Sequence, residues 1–411
     1  MEKSKRRLSL PAWILIGMVA GILVGLLFMV IGQADFTTTW IKPIGDIYIN
    51  LLKFLIVPIV LVSIMSGVIQ LGDIKKVGSV GVRTFIYYMC TTAIAVVIGL
   101  VIVNLFKGLF PALDQSNLEG LAYEAKTAPS VMDVIKNIFP DNAVKPLVNA
   151  DMLPVIVIAL FFGAGVLAAG EKGKTVADFI HSLNDVVLKV LMMIIRITPI
   201  GVFCLMVNVV AVNGPKIIGS LALILAVAYI AYIVHVVLVY GSSVRFLSGM
   251  SPIKFLKGMW PAMITAFTTT SSNATIPINL ECCTNLGANP EVSSFVLPLG
   301  ATINMDGTAI YQAVAAVFIA SCYGINLTIG QMAQIVLTAT LASIGTAGVS
   351  GAGMIMLGMV LVQIGVPVEG IALVAGVDKI FDMGRTTLNI TGDATCAIWV
   401  SKYTQKKAAA K

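Results

Sequence analysis

The chain contains 411 residues, of which 58% are hydrophobic and only 11% are charged. A soluble domain carries about 25% charged residues, so lipid must cover part of this surface, and a wholly soluble protein is excluded. The formal net charge of +7 does not require nucleic acid as a partner, because lysine and arginine collect on the cytoplasmic side of membrane proteins.

Apolar stretches long enough to cross a bilayer, which takes about 20 residues, begin close to position 1. The first follows the basic segment 1–7 and is longer than a signal-peptide core, so we interpret it as an uncleaved transmembrane helix. Gly17, Gly21 and Gly25 within it have the GxxxG spacing of close helix packing. The predicted spans are about 11–32, 44–71, 83–107, 151–170, 182–213 and 217–246, followed by longer apolar regions at about 254–323 and 328–401.

The lysines and arginines predict the orientation of these spans. Basic clusters lie at both ends of the chain and after the second, fourth and sixth spans. All are expected in the cytoplasm, and the acidic stretch 113–150 is expected outside. These positions agree with spans that alternate in direction across the membrane, provided that only two complete spans follow position 254.

The region after position 254 is longer than two spans require, since two spans need about 40–60 residues. We therefore expect the surplus to form re-entrant hairpins, whose non-helical tips must be buried in protein or face a cavity. Small and polar residues at 268–273 and 343–353 mark the tips, and the motifs 304–308 and 382–386 follow them. Interrupted helices repeated in two halves indicate inverted repeats around a site at the membrane midplane.

The final span carries polar and charged residues at the spacing of one helix face, namely Asp378, Asp382, Arg385, Thr386, Asn389 and Asp393. One charge at mid-membrane costs about 2.5–3.5 kcal/mol, so this stripe must face a polar cavity. With Asp306 added, the carboxylates outnumber the single arginine. A bound cation or a substrate ammonium would neutralise the excess, although a structural salt-bridge network is the alternative.

The residue types of the stripe indicate an amino acid with an acidic side chain. Arg385 offers a planar fork for a carboxylate, while Asp382 can hold an ammonium and Asn389 an α-carboxylate. A plain dicarboxylate would have no use for Asp382, and a neutral amino acid would leave Arg385 unpaired. Carboxylates beside unwound backbone carbonyls suit sodium.

Other functions remain open from the residues alone. An ion channel could use the same polar cavity. An intramembrane enzyme is disfavoured, because the sequence has no nucleophile–base pair, zinc spacing or phosphate loop. In the third span, Tyr88, Thr91 and Thr92 taken in isolation indicate a packing face, since intramembrane hydroxyls often bond their own helix.

Three stretches resemble the dicarboxylate/amino acid:cation symporter family, which includes glutamate transporters. They are 298–308 (PLGATINMDGT), 343–348 (SIGTAG) and 382–393 (DMGRTTLNITGD). The resemblance extends over essentially the whole chain. It implies an all-α polytopic protein of the inner (plasma) membrane with eight transmembrane helices, two re-entrant hairpins and a homotrimeric assembly.

The family resemblance also implies two domains and an elevator mechanism. Segments 1–82 (spans 1 and 2) and 113–216 (spans 4 and 5 with the external loop) would form a scaffold. Segments 83–112 (span 3) and 217–411 (span 6, hairpin 1, span 7, hairpin 2 and span 8) would form a transport domain that moves across the membrane. The cargo would be aspartate or glutamate with sodium ions, or, as the alternative, an acidic amino acid or dicarboxylate with protons.

By the same resemblance, Arg385 would hold the substrate side-chain carboxylate and Asp382 its amino group. The α-carboxylate would contact Asn389, Thr308, Ser272 and Thr386. Val349 and Gly353 lie where the second hairpin would close over the substrate. Archaeal relatives carry an arginine where Thr270 stands, animal relatives carry one where Met383 stands, and proton-coupled animal relatives have glutamate where this chain has Gln312.

Three sodium sites follow from the same comparison. The first would use Asp393 with the backbone carbonyls of Gly300, Asn304 and Asn389. The second would use the carbonyls of Thr302, Ser343, Ile344 and Thr346. The third would use Asp306, Asn304, Tyr88, Thr91 and Thr92, which gives the tyrosine–threonine cluster a function beyond packing.

Overall fold

The computed structural model describes residues 10–76, 79–110, 139–214, 216–344 and 351–409. Within these ranges every regular element is helical, so the expected all-α class is confirmed for this part of the chain. The basic segment 1–7, most of the stretch 113–150, and the predicted site residues Thr346 and Val349 lie outside the described residues.

The first half of the described chain contains seven long helices. They are α1 (Leu10–Val30), α2 (Lys42–Lys76), α3 (Ser79–Phe106), α4 (Met152–Ala168), α5 (Lys174–Arg196), α6 (Thr198–Asn213) and α7 (Lys216–His235). Short helical turns precede α2 at Ala34–Phe36 and Thr37–Ile41. Two π-helical segments, Val236–Tyr240 and Ser243–Ser248, prolong α7.

The span predicted at 182–213 is bent. The chain forms α5 and α6 there, and they meet at an angle of 50° around Ile197. Pro199 explains the break, because its ring has no N–H to donate and would clash with the carbonyl of Ile195 in a continuous helix. The apolar run therefore continues through a bend that hydropathy alone does not reveal.

The second half contains eight helices. They are α8 (Pro252–Thr269), α9 (Ser272–Asn285), α10 (Pro290–Ile303), α11 (Asp306–Cys322), α12 (Ile329–Ala342), α13 (Ala352–Gln363), α14 (Ile371–Ala375) and α15 (Asp378–Ala409). Helices α8 and α9 pack against each other, and so do α12 and α13. The break between α8 and α9 falls in the segment 268–273 that the sequence marks as a tip, and α12 ends just before the second such segment, most of which lies outside the described residues.

The break between α8 and α9 has a clear local cause. Thr270 adopts a left-handed conformation with φ of 52°, and its N–H closes α8 by donating to Ala266 O at 2.8 Å. Ser271 begins α9 by accepting the N–H of Ala274 on its hydroxyl at 3.3 Å, which is a standard N-cap. A second break, at Asn304 and Met305, separates α10 from α11.

The helices fall into two groups that pack mainly within themselves. One group consists of α1, α2, α4, α5 and α6, and the other consists of α3 and α7 to α15. In the first group, Gly17, Gly21 and Gly25 face α6. A Cβ at Gly21 would lie 2.8 Å from the carbonyl oxygen of Phe203, so the GxxxG spacing does serve close helix packing.

Five helical stretches of the described chain are long and apolar enough to cross a membrane. They are Ala12–Val30, Ala34–Gln70, Val80–Leu109, Ile217–Ser248 and Pro290–Cys322, and the bent α5–α6 pair would make six. Helices α4, α12 and α13 are apolar but short, and α15 carries the charged stripe. The expected total of eight spans with two re-entrant hairpins therefore stays a prediction.

Replacing Gly21 by leucine is expected to lower the thermal unfolding temperature of the purified chain. The new side chain would be forced against the α6 backbone, and overpacking of this kind costs about 1–3 kcal/mol. Gly219→Leu is the matched control, because Gly219 is exposed and no described atom lies within 4 Å of a Cβ built there. Equal losses in both variants would contradict the tight α1–α6 contact.

Candidate substrate and cation site

The polar stripe of α15 lies in the interior, where it meets the breaks between the helices of the second group. Asp378, Asp382, Arg385 and Asp393 are each no more than 5% exposed. All the members of the stripe belong to one continuous helix, which confirms the helical spacing predicted from the sequence. Their partners come from α3, α7, α8, α10, α11 and α13.

Arg385 is held on both sides by carboxylates of its own helix. Its Nε donates to Asp382 Oδ1 at 2.9 Å, and its Nη1 and Nη2 donate to the two oxygens of Asp378 at 3.0 and 3.4 Å. The guanidinium also lies 4.7 Å from the centre of the Tyr311 ring. In this structure the arginine fork, predicted to hold a substrate carboxylate, is thus paired with Asp378.

Gly353, at the start of α13, lies directly against this arginine. A Cβ at Gly353 would overlap the guanidinium of Arg385, so the absence of a side chain allows the second pair of short helices to approach the stripe. The structure therefore places Gly353 beside Arg385, while its predicted closure over a substrate stays a prediction.

Lys379 is a member of the site that the sequence analysis missed. Its Nζ lies 3.4 Å from Asp382 Oδ2 and also donates to the Thr270 hydroxyl at the α8–α9 break. Within this cluster two carboxylates therefore face two cations, whereas the expected excess of negative charge remains once Asp393 and Asp306 are counted. Lys379 lies about 100° around the helix from Asp378, but its long stem reaches the stripe. A count of every ionisable residue in the helix would have found it.

Asn389 connects α15 to the start of α11. Its Oδ1 accepts the N–H of Gly307 at 2.7 Å, and its Nδ2 lies 3.4 Å from the Thr308 hydroxyl. Thr386 donates to Asp382 Oδ1 at 3.5 Å. These residues of the predicted substrate pocket are thus brought together, while Ser272 is buried at the α8–α9 break.

A second polar group surrounds Asp393. Asn304 Nδ2 donates to Asp393 Oδ1 at 2.9 Å and to the Asn389 carbonyl at 3.0 Å. Gly300 lies against the same carboxylate. Gly300, Asn304 and Asn389, the predicted partners of Asp393 in the first sodium site, thus lie around its carboxylate.

Asn304 shows why this group suits a cation. Its Oδ1 is buried and has no hydrogen-bond partner among the described residues. A buried amide oxygen without a donor is costly, and a hard cation such as sodium would satisfy it together with the Asp393 carboxylate. The donor set thus fits sodium, which would be held by Asp393, Asn304 and nearby carbonyls.

A third polar group surrounds Asp306. The Thr92 and Thr91 hydroxyls donate to its Oδ1 at 2.6 and 3.4 Å, and Tyr240 donates to its Oδ2 at 2.7 Å. His235 Nε2 lies 3.2 Å from the same Oδ2. Thr91 and Thr92 therefore contact a carboxylate, and the interpretation of this cluster as a packing face alone is wrong.

In this structure Tyr88 donates its hydroxyl to the Val296 carbonyl at 3.1 Å, and Asn304 Nδ2 bonds the Asp393 group. The third sodium site, with Tyr88 and Asn304 as ligands, therefore stays a prediction. His235 and Tyr240, which contact Asp306, were missed by the sequence analysis. A lone histidine inside an apolar span was the available signal.

The described residues of the predicted second sodium site lie at helix ends. Thr302 is in the last turn of α10, and Ser343 and Ile344 follow the end of α12. The last carbonyls of a helix have no partner within it, so these positions can offer oxygens to a cation. Thr346, the fourth residue of this set, lies outside the described residues.

The charged cluster borders a cavity between the two helix groups. Asp378, Lys379 and Asp382 line one side of the cavity, and α1 and the α5–α6 bend contribute Ile14 and Thr198 on the other side. Asp378, Lys379 and Asp382 therefore border this cavity as well as one another.

A model of the sodium:dicarboxylate symporter family matches residues 10–403. The chain belongs to this family. It is 35% identical over 404 residues to the proton/sodium-glutamate symport protein of Geobacillus stearothermophilus, covering 97% of this chain and 95% of that protein. It is 34% identical over 421 residues to the proton/glutamate-aspartate symporter of Escherichia coli K12, covering 98% and 96% of the two chains.

A third relative differs in its cargo. The chain is 33% identical over 399 residues to the C4-dicarboxylate transport protein of Bacillus subtilis 168, covering 96% of this chain and 93% of that protein. Membership makes this symporter homologue a multi-pass protein of the cell membrane and a cation-coupled carrier of acidic amino acids or dicarboxylates, not an enzyme.

Tyr240→Phe is expected to destabilise the folded chain. It removes a hydrogen bond to the buried Asp306 carboxylate, which is worth about 1–3 kcal/mol, so the free energy of unfolding should fall in thermal or denaturant unfolding. Tyr232→Phe is the matched control, because the buried Tyr232 hydroxyl has no hydrogen-bond partner within the described part of the chain. Equal stability of Tyr240→Phe and the wild type would contradict a structural role for this contact.

Proposed function

We propose that this symporter homologue takes up aspartate or glutamate together with sodium ions. The observation that carries the proposal is the buried Asp382–Arg385 pair beside Asn389 and Thr308. This arrangement offers a carboxylate for an ammonium and a guanidinium for a carboxylate, with an amide and a hydroxyl alongside.

In this proposal Arg385 turns its fork from Asp378 to the substrate side-chain carboxylate. Asp382 receives the substrate ammonium, and the α-carboxylate contacts Asn389, Thr308, Ser272 and Thr386. Gly353 and Val349 close over the bound substrate. The exchange of one carboxylate for another at Arg385 keeps the guanidinium neutralised in a buried place, where an unpaired charge is costly.

Sodium is the proposed coupling ion. The Asp393 group offers a carboxylate, a buried amide oxygen and backbone carbonyls, which is the donor set of a hard cation. The middle of α11 holds Gln312, an amide that does not titrate. Further sodium ions would bind at Asp306 with Thr91 and Thr92, and at the helix ends near Thr302, Ser343 and Ile344.

We further propose the elevator arrangement of the family. The helix group α1, α2, α4, α5 and α6 would be the scaffold, and the group containing α3 and α7 to α15 would be the moving domain. The dense packing within each group supports this division. Eight spans, re-entrant α8–α9 and α12–α13 hairpins, cytoplasmic termini and a homotrimer complete the proposal.

Uptake into liposomes tests the coupling ion. The reconstituted chain is expected to accumulate labelled aspartate or glutamate under an inward sodium gradient and not under a proton gradient in sodium-free buffer. Equal accumulation under the proton gradient would show that protons, and not sodium ions, are the coupling ions. Conductance without accumulation would support a channel instead.

Arg385→Cys is expected to abolish binding of acidic substrates and to admit neutral amino acids, because the guanidinium is the only proposed partner of the substrate side-chain carboxylate. Binding can be measured as ligand-induced thermal stabilisation in sodium. Arg245→Cys is the matched control, since Arg245 is exposed on the segment that prolongs α7. Unchanged aspartate affinity in Arg385→Cys would remove Arg385 from the site.

A further inference from the structure

Lys379 occupies the place that an incoming ammonium would need. The side chain is 4% exposed and lies between the Thr270 hydroxyl and Asp382 Oδ2. Asp382 therefore has a cation on each oxygen, with Arg385 Nε on Oδ1 and Lys379 Nζ on Oδ2. The internal ammonium of the chain and the ammonium of an amino acid have the same chemistry.

The Lys379–Asp382 contact changes which ligands can use the site. The sequence alone predicts that a plain dicarboxylate is excluded, because it has no ammonium for Asp382. With Lys379 in place, Asp382 already holds an ammonium and can keep it when a dicarboxylate binds. The lack of an ammonium on the ligand therefore does not exclude dicarboxylates from this site.

The geometry also allows Lys379 to leave. Its Nζ is 3.4 Å from Asp382, whereas the Arg385 Nε is at 2.9 Å. Lysine carries its charge on a flexible four-carbon stem, while an arginine fork paired with carboxylates is held in one plane. Lys379 and Asp382 both line the same small cavity, so an ammonium that enters it meets the two groups together.

We propose that Lys379 is a specificity-determining residue that opens the site to C4-dicarboxylates as well as acidic amino acids. Asp382 keeps the lysine when a dicarboxylate binds and exchanges it for the ligand ammonium when an amino acid binds. This inference rests on the proposed substrate site and extends its substrate class.

The test compares two ligands that differ only in the amino group, aspartate and succinate. Their affinities are measured in sodium by calorimetry on the full-length purified chain, for the wild type, Lys379→Met and Lys379→Arg. The wild type binds both. Lys379→Met weakens succinate about tenfold or more, because a charge-assisted contact in a buried site is worth at least that factor. Aspartate, which brings its own ammonium, binds as well as before or more tightly.

Two further variants control the comparison. Lys379→Arg keeps the positive charge and should restore succinate binding relative to Lys379→Met. Lys53→Met removes another lysine that pairs with a carboxylate, that of Glu369, outside the site. It should leave the ratio of the two affinities unchanged.

Several results would overturn the inference. Equal weakening of both ligands in Lys379→Met would make the lysine a structural clamp or a ligand of a substrate carboxylate. Failure of the wild type to bind succinate would also overturn the inference. In both cases, aspartate binding by the wild type would leave the proposed function intact. If the wild type binds neither ligand, the proposed function and this inference fail together.

If Lys379→Met does not fold, as judged by size-exclusion chromatography, Asp382→Asn gives an independent answer. That variant removes the carboxylate over which the two ammonium groups compete. It should weaken aspartate while succinate keeps its affinity, because Lys379 remains available. Equal loss of both ligands in Asp382→Asn would overturn the inference.

Discussion

The fold of the second helix group depends on neutralising the buried carboxylates of α15 and α11 in the protein interior. Each of these groups is buried, and an isolated charge there would cost several kcal/mol. The chain meets this constraint differently at each position. Asp378 and Asp382 face Arg385 and Lys379, Asp306 receives hydroxyls and a histidine, and Asp393 has an asparagine amide. The groups with fewer cations are those proposed to bind sodium.

Helical periodicity explains how much of the site could be predicted. The stripe from Asp378 to Asp393 is a local pattern, so its spacing fixes one face of a helix without any knowledge of tertiary contacts. The break at Thr270 was also visible, because small and polar residues interrupt an apolar run there, whereas the break near Asn304 was not predicted. Such signals lie within a few residues of one another along the chain.

The errors have physical causes of their own. Lys379 was missed because it lies off the stripe and reaches it only through a long stem. His235 and Tyr240 were missed because they meet Asp306 across 71 and 66 residues, and contacts between distant helices leave no local pattern. The α5–α6 bend was missed because Pro199 lies inside a continuous apolar run. Hydropathy alone therefore predicted one straight span.

The position of Asn389 between two polar groups has a thermodynamic consequence. Its backbone carbonyl belongs to the Asp393 group, and its side chain belongs to the Thr308 group. A cation in the first group and a ligand in the second would thus order the same residue. Linkage is reciprocal. If the bound cation raises the affinity for the ligand by some factor, the bound ligand raises the affinity for the cation by the same factor. A single asparagine can in this way join two binding equilibria.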